Sequence, residues 1–157
     1  MDTAALKLAW SAFSRLSPGA SEQLRSLGRP AEFAAGASIF QEGRETPFLG
    51  SLESGRVALR LRVPELGERV TIATIEPGGV LGWSALVAPF RSTVDAVAAD
   101  HTGMLTFGAA DLRARVDSDP AFAAELLPLV AETVSHRLTT SWQQLLDVFA
   151  LPARERW

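Results

Sequence analysis

Between Phe33 and Phe107, glycine and proline recur at short intervals, and this punctuation restricts the fold more than any other feature of the chain. Gly36, Gly43, Pro47, Gly50, Gly55, Pro64, Gly67, Pro77, Gly82, Pro89 and Gly103 leave little room for a long helix. What lies between them is short and β-prone: Ser38–Phe40, Arg56–Val63, Arg69–Ile75 and Met104–Phe107. The second run alternates, placing Val57, Leu59, Leu61 and Val63 on one face and Arg56, Ala58, Arg60 and Arg62 on the other. Many short strands at this spacing predict a mainly β domain, a jelly-roll barrel or sandwich. Pro64–Gly67 reads as the hairpin turn between its two longest strands.

The flanks follow a different period. Leu6, Ala9, Trp10, Phe13 and Leu16 recur at helical spacing, so residues 4–29 read as two short helices broken at Ser17–Ser21. Ala109–Val116 predicts another short helix, and Asp117–Pro120 a cap for a long helix over residues 121–149. Along that helix Leu127, Val130, Val134, Leu138, Ser141, Leu145 and Val148 form a stripe at three- and four-residue steps. One small barrel cannot cover all of it. A second copy can, which predicts a homodimer whose interface includes Val134, Leu138, Ser141, Leu145 and Val148. With 157 residues and 47% hydrophobic content, the chain suits one domain: helices over 1–29, barrel over 30–108, helices over 109–150.

Chemistry concentrates between Pro77 and Thr93. Gly78, Gly79 and Gly82 permit positive φ and close approach to a ligand. Amides at the start of a short helical turn suit an anion. Arg91, flanked by Ser92 and Thr93, adds a planar cationic fork. The glycines serve equally well as plain turn residues, and Arg91 as a surface group or a partner of Asp95. Other chemistries are poorly supplied. There is no cysteine, and the only histidines are His101 and His136, so no metal or thiolate centre is expected. Nucleophile elbows and phosphate loops are absent, so the chain does not read as an enzyme. A net charge of −3 gives no reason to expect nucleic acid or an anionic membrane as partner. An acidic start and the lack of an apolar run of roughly 18 residues predict a cytoplasmic protein.

In order, Ala35–Gly43, Leu52–Val57, Ile75–Gly79, Leu81–Leu86 and Arg91–Thr93 resemble the motifs of the cyclic-nucleotide-binding domains of the catabolite activator and protein kinase regulatory-subunit type. The first is similar to the opening strand pair, the second to a hairpin turn, and the third to the turn before the phosphate-binding cassette. The last two correspond to that cassette. The resemblance implies a double-stranded β-helix with N-terminal helices and a long C-terminal helix, and a cyclic nucleotide (cAMP or cGMP) or another small anion as ligand. The ligand-binding residues it implies are Gly82, Trp83, Ser84, Ala85, Leu86, Arg91, Ser92 and Thr93, closed over by Thr140 and Ser141, with Thr139 and Gln143 nearby. Nucleotide-binding members carry a glutamate where this chain has Trp83, and an indole offers a donor but no acceptor for a ribose hydroxyl. Trp83 therefore reads as a plug, a stacking platform or core. An ungapped alignment back from Ala96 places Ser92, not Arg91, at the family's phosphate arginine. Transcription factors of the family continue into a helix-turn-helix; Leu151–Trp157 leaves no room for one, so direct DNA binding is not expected. Two functions follow: a sensory domain signalling through its long helix, or a ligand-free dimerisation module that binds a protein partner, its pocket plugged by Trp83.

Overall fold

The structure, a computed structural model, describes residues 10–65 and 67–154, with 148–154 by their backbone alone. The first predicted helix, read on Leu6, Ala9, Trp10, Phe13 and Leu16, lies outside these residues as far as Ala9. Ser11–Phe13 form a single 3₁₀ turn. Helix α1 then spans Pro18–Leu27. It starts inside the Ser17–Ser21 stretch that the sequence reading takes as a break. Proline suits the first helical position, and the Ser17 hydroxyl accepts the Ala20 N–H at 3.3 Å. Serine and proline here open a helix instead of interrupting one.

Eight strands follow: β1 (Gly28–Phe33), β2 (Ser38–Phe40), β3 (Phe48–Ser54), β4 (Val57–Val63), β5 (Glu68–Ile75), β6 (Val80–Leu81), β7 (Asp95–Ala98) and β8 (Thr102–Gly108). They build two antiparallel four-stranded sheets, ordered β1-β8-β3-β6 and β2-β7-β4-β5, which close as the expected jelly roll. β1 begins at Gly28, slightly before the predicted barrel boundary. Between the sheets pack Phe40, Leu52, Val57, Leu59, Leu81 and Met104. A second apolar cluster lies outside the β8 face, where Phe107 meets Phe13, Leu24, Leu112, Phe122 and Leu126. The rings of Phe13 and Phe107 meet edge to face, with centroids 5.6 Å apart.

The alternation read in β4 holds only for its first half. Val57 and Leu59 are buried, but Leu61 is exposed and the outward Ala58 is buried. β4 and β5 share a register shift at Leu59/Arg60, beyond which their hairpin runs past the barrel with Val70 and Ile72 exposed. The turn at Pro64–Gly67 joins them as expected, with Val63 paired to Glu68.

Helix α2 spans Ala109–Ser118 and α3 spans Pro120–Arg154. The Asp119 carboxylate accepts the Phe122 N–H at 3.0 Å, and that bond, with a second from the Gln23 side chain, holds its pKa below the ordinary range. At 35 residues, α3 is about 52 Å long. Its first turns bury Phe122, Leu126 and Val130 against the second cluster. Of the apolar stripe predicted from Leu127 onward, Val130 makes this contact, whereas Leu127 is exposed and Leu126, outside the stripe, is buried. No helix among the described residues is long and apolar enough to cross a membrane.

Candidate functional site

The cassette takes its shape from Gly82. Its φ of +77° is left-handed, and a Cβ there would land on the Phe48 carbonyl oxygen, so the position requires glycine. The chain then makes a 3₁₀ turn, Trp83–Ala85, whose closing amides are already bonded: Ala85 N–H to the Gly82 carbonyl and Leu86 N–H to that of Trp83. In the preceding turn the Gly78 amide donates to Leu52 and the Gly79 amide to Glu76. The amides of Gly78 and Gly79, expected to approach a ligand, are thus engaged within the fold.

The loop after the turn is held from two sides. Residues 43–46 pair with 90–92: Gly43 N–H donates to Ser92 O, Ser92 N–H to Arg44 O, and Thr46 N–H to Phe90 O, at 2.8–2.9 Å. From α2, Arg113 donates to the Ala85 carbonyl at 3.0 Å and lies 4.5 Å over the Phe90 ring. This pairing turns Arg91 outward, where its guanidinium donates to the Gly43 carbonyl at 2.8 Å. The Ser92 hydroxyl donates to the Val94 carbonyl at 2.6 Å and is buried. Asp95 is buried as well; Arg69 pairs with it at 2.5 Å and the Glu42 amide donates to it.

Beside the cassette lies a cavity of about 810 Å³ between the barrel and α3, within the size range of small-ligand sites. Leu59, residues 72–80, Trp83, Thr93 and Val94 form its barrel wall. The helix wall runs from Leu129 to Gln144. Of the residues the sequence singled out, Gly78, Gly79, Trp83, Thr93, Thr140 and Ser141 meet here, together with Val134 and Leu138. Gly82, Ser84, Ala85, Leu86, Arg91 and Ser92 are not in its lining. Trp83 also packs against the helix-side core, so its indole is part of both the wall and the core. The Thr140 hydroxyl donates back to the His136 carbonyl, which leaves its lone pairs for a ligand donor.

Sequence reasoning missed Arg137. It lies half-buried in the helix wall and donates to the Val80 carbonyl, and desolvation lowers its pKa to about 10. Helical spacing held the signal: Val134, Arg137, Ser141 and Gln144 fall at steps of three and four and share one face. Leu138 and Leu145, taken with Val134 as a dimer stripe, are 48% and 55% exposed. The side chain of Val148 lies outside the described residues.

Residues 30–119 match the model of the cyclic nucleotide-binding domain, more than half of the chain. No curated protein matches it. Among solved structures, it is similar to a candidate cyclic nucleotide-binding protein from Geobacter metallireducens GS-15 (24% identity, 88% of this chain and 99% of that one, TM-score 0.75). It is also similar to the Thermus thermophilus catabolite activator protein (24% identity, 90% and 62% covered, TM-score 0.63). A third likeness is to the regulatory domain of Toxoplasma gondii PKA solved with cAMP (16% identity, 73% and 45% covered, TM-score 0.63).

Proposed function

Because the chain belongs to the cyclic nucleotide-binding domain family, we propose that it is a regulatory module whose barrel–helix cavity binds a cyclic nucleotide or another small anion. Domains of this family are generally regulatory and not catalytic. The observation that carries the reading is the two-part wall of the cavity. One side is barrel and the other is α3, so a ligand touching both has a different affinity for each arrangement of helix and barrel. That difference is what a population shift requires. The PKA regulatory domain from Toxoplasma gondii, which binds cAMP, lends the ligand class.

From Leu138, which also lines the cavity, to Leu146, α3 carries an exposed apolar face. Leu138, Trp142, Leu145 and Leu146 are 48%, 56%, 55% and 67% exposed. A second copy covering this face with its own helix would carry the signal as a change in how the two helices pack. The other reading, a ligand-free dimerisation module plugged by Trp83, has less support. The indole lies in the cavity wall, and about 810 Å³ remains beside it.

Titration with cyclic AMP and cyclic GMP, followed by tryptophan fluorescence, tests the proposal, since Trp83 is in the wall. Saturable change is expected. No change with either nucleotide would count against a nucleotide ligand.

A further inference from the structure

We propose that the anion acceptor of this cavity is Arg137, so that a ligand's charged group sits against the long helix beside Val80 and not in the cassette loop at Arg91. This rests on the reading of the cavity as a ligand site and specifies where its charge goes. Among the described residues, the cavity lining contains one side chain with a permanent positive charge, Arg137. Its guanidinium has five donors, and the one recorded bond goes to the Val80 carbonyl. No carboxylate among the described residues forms an ion pair with it, and its lowered pKa has burial as its cause. At neutral pH it remains a cation, partly stripped of water and without a counter-charge. Such a group costs free energy that an incoming anion removes.

The alternatives are out of reach or engaged. Arg91 is not in the cavity lining, and the amides of Gly78 and Gly79, which are, donate to the backbone at Leu52 and Glu76. Two carboxylates also face the cavity. Glu132 is paired with Arg15, whereas Glu76, in the turn after β5, opposes an anion brought close to it and suits a ligand hydroxyl instead. The remaining wall is apolar at Leu59, Ile75, Trp83 and Val94. The matching ligand is a small organic anion, a phosphate ester, carboxylate or sulfonate, with an apolar or aromatic body. Because Arg137 belongs to α3, the ligand's charge acts on the helix directly.

Two probes of nearly the same shape separate charge from apolar fit: 1-anilinonaphthalene-8-sulfonate, an anion, and N-phenyl-1-naphthylamine, which is neutral. Each is titrated into the full chain and into Arg137→Gln, Arg137→Lys and Arg91→Ala, with circular dichroism to show that each variant is folded. Arg137→Gln should weaken the anion at least about tenfold and leave the neutral probe unchanged. Arg137→Lys should recover part of the loss, and Arg91→Ala should match the wild type. Equal loss of both probes in Arg137→Gln, dependence on Arg91, or no binding of the anion to the wild type would overturn the proposal. Cyclic AMP titrated alongside separates the two readings: anion binding that needs Arg137 without cyclic AMP binding rejects the nucleotide and keeps the acceptor. Cyclic AMP binding that ignores Arg137→Gln does the reverse.

Discussion

The two halves of the long helix do different work with similar composition. From Phe122 to Val130, α3 is bolted to the barrel: Phe122, Leu126 and Val130 are buried, Asp119 caps its first turn, and Glu125 accepts both the amide and the hydroxyl of Ser17. From Leu138 to Leu146, equally large apolar residues lie exposed. The cavity lies along the helix where one regime passes into the other, from Leu129 to Gln144. On the proposed reading, a fixed base, a ligand at the junction and an exposed far end would act together as a lever. A helix buried along its whole length could not move, and one free along its whole length could not report on the barrel.

The largest expected effect breaks the fixed half. Leu126→Ala removes a fully buried side chain and should destabilise the fold by about 2–5 kcal/mol in denaturant unfolding. The corresponding change in the free half, Leu146→Ala, should stay within about 0.5 kcal/mol when the protein is dilute enough to be monomeric. Similar costs at both sites would erase the distinction between the halves.

Leu138→Asp or Leu145→Asp puts a charge into the face assigned to a second copy and should shift sedimentation from dimer to monomer. A monomeric wild type, or a dimer indifferent to either change, would mean that something else covers this face.

Ser17→Ala removes both the cap of α1 and its hydroxyl bond to Glu125, at an expected cost of about 1 kcal/mol. The loss should appear as faster exchange at the base of α3 as well as in α1. A loss confined to α1 would show that the joint to the long helix contributes little.

The smallest effect concerns pH. The Phe122 N–H and then Gln23 hold the Asp119 pKa below its unfolded value of 3.8. The carboxylate therefore stabilises the folded state above the unfolded pKa, and this contribution fades as pH falls through the lower folded one. Asp119→Asn keeps an acceptor for the cap and should flatten the acid side of the stability profile. An unchanged profile would assign the acid sensitivity to other carboxylates.

How much of this was legible in the sequence depends on the range of the forces involved. Strands and turns were readable because Gly43, Gly55, Gly67 and Gly82 mark places where the backbone itself must turn, each with positive φ. The far end of β4 was misread because alternation reports which residues share a face, not whether the opposing sheet extends that far. At the site, Trp83, Thr93, Thr140 and Ser141 were legible through family resemblance, and all four line the cavity. The outward turn of Arg91 was not, since it depends on residues 43–46 pairing across the loop. Arg137 was hidden for a related reason. A lone arginine on an amphipathic helix reads as solvated surface, and only the rotation of α3 against the barrel, set by Phe122, Leu126 and Val130, turns it toward Val80.

Amide hydrogen exchange along α3, with and without saturating cyclic AMP, tests the lever most directly. Without ligand, residues 120–130 should exchange slowly and those beyond Leu138 quickly. With ligand, new protection should appear at residues 129–144 and at the facing strand and turn, residues 72–80. No added protection, or protection only at the loop around Arg91, would contradict the account.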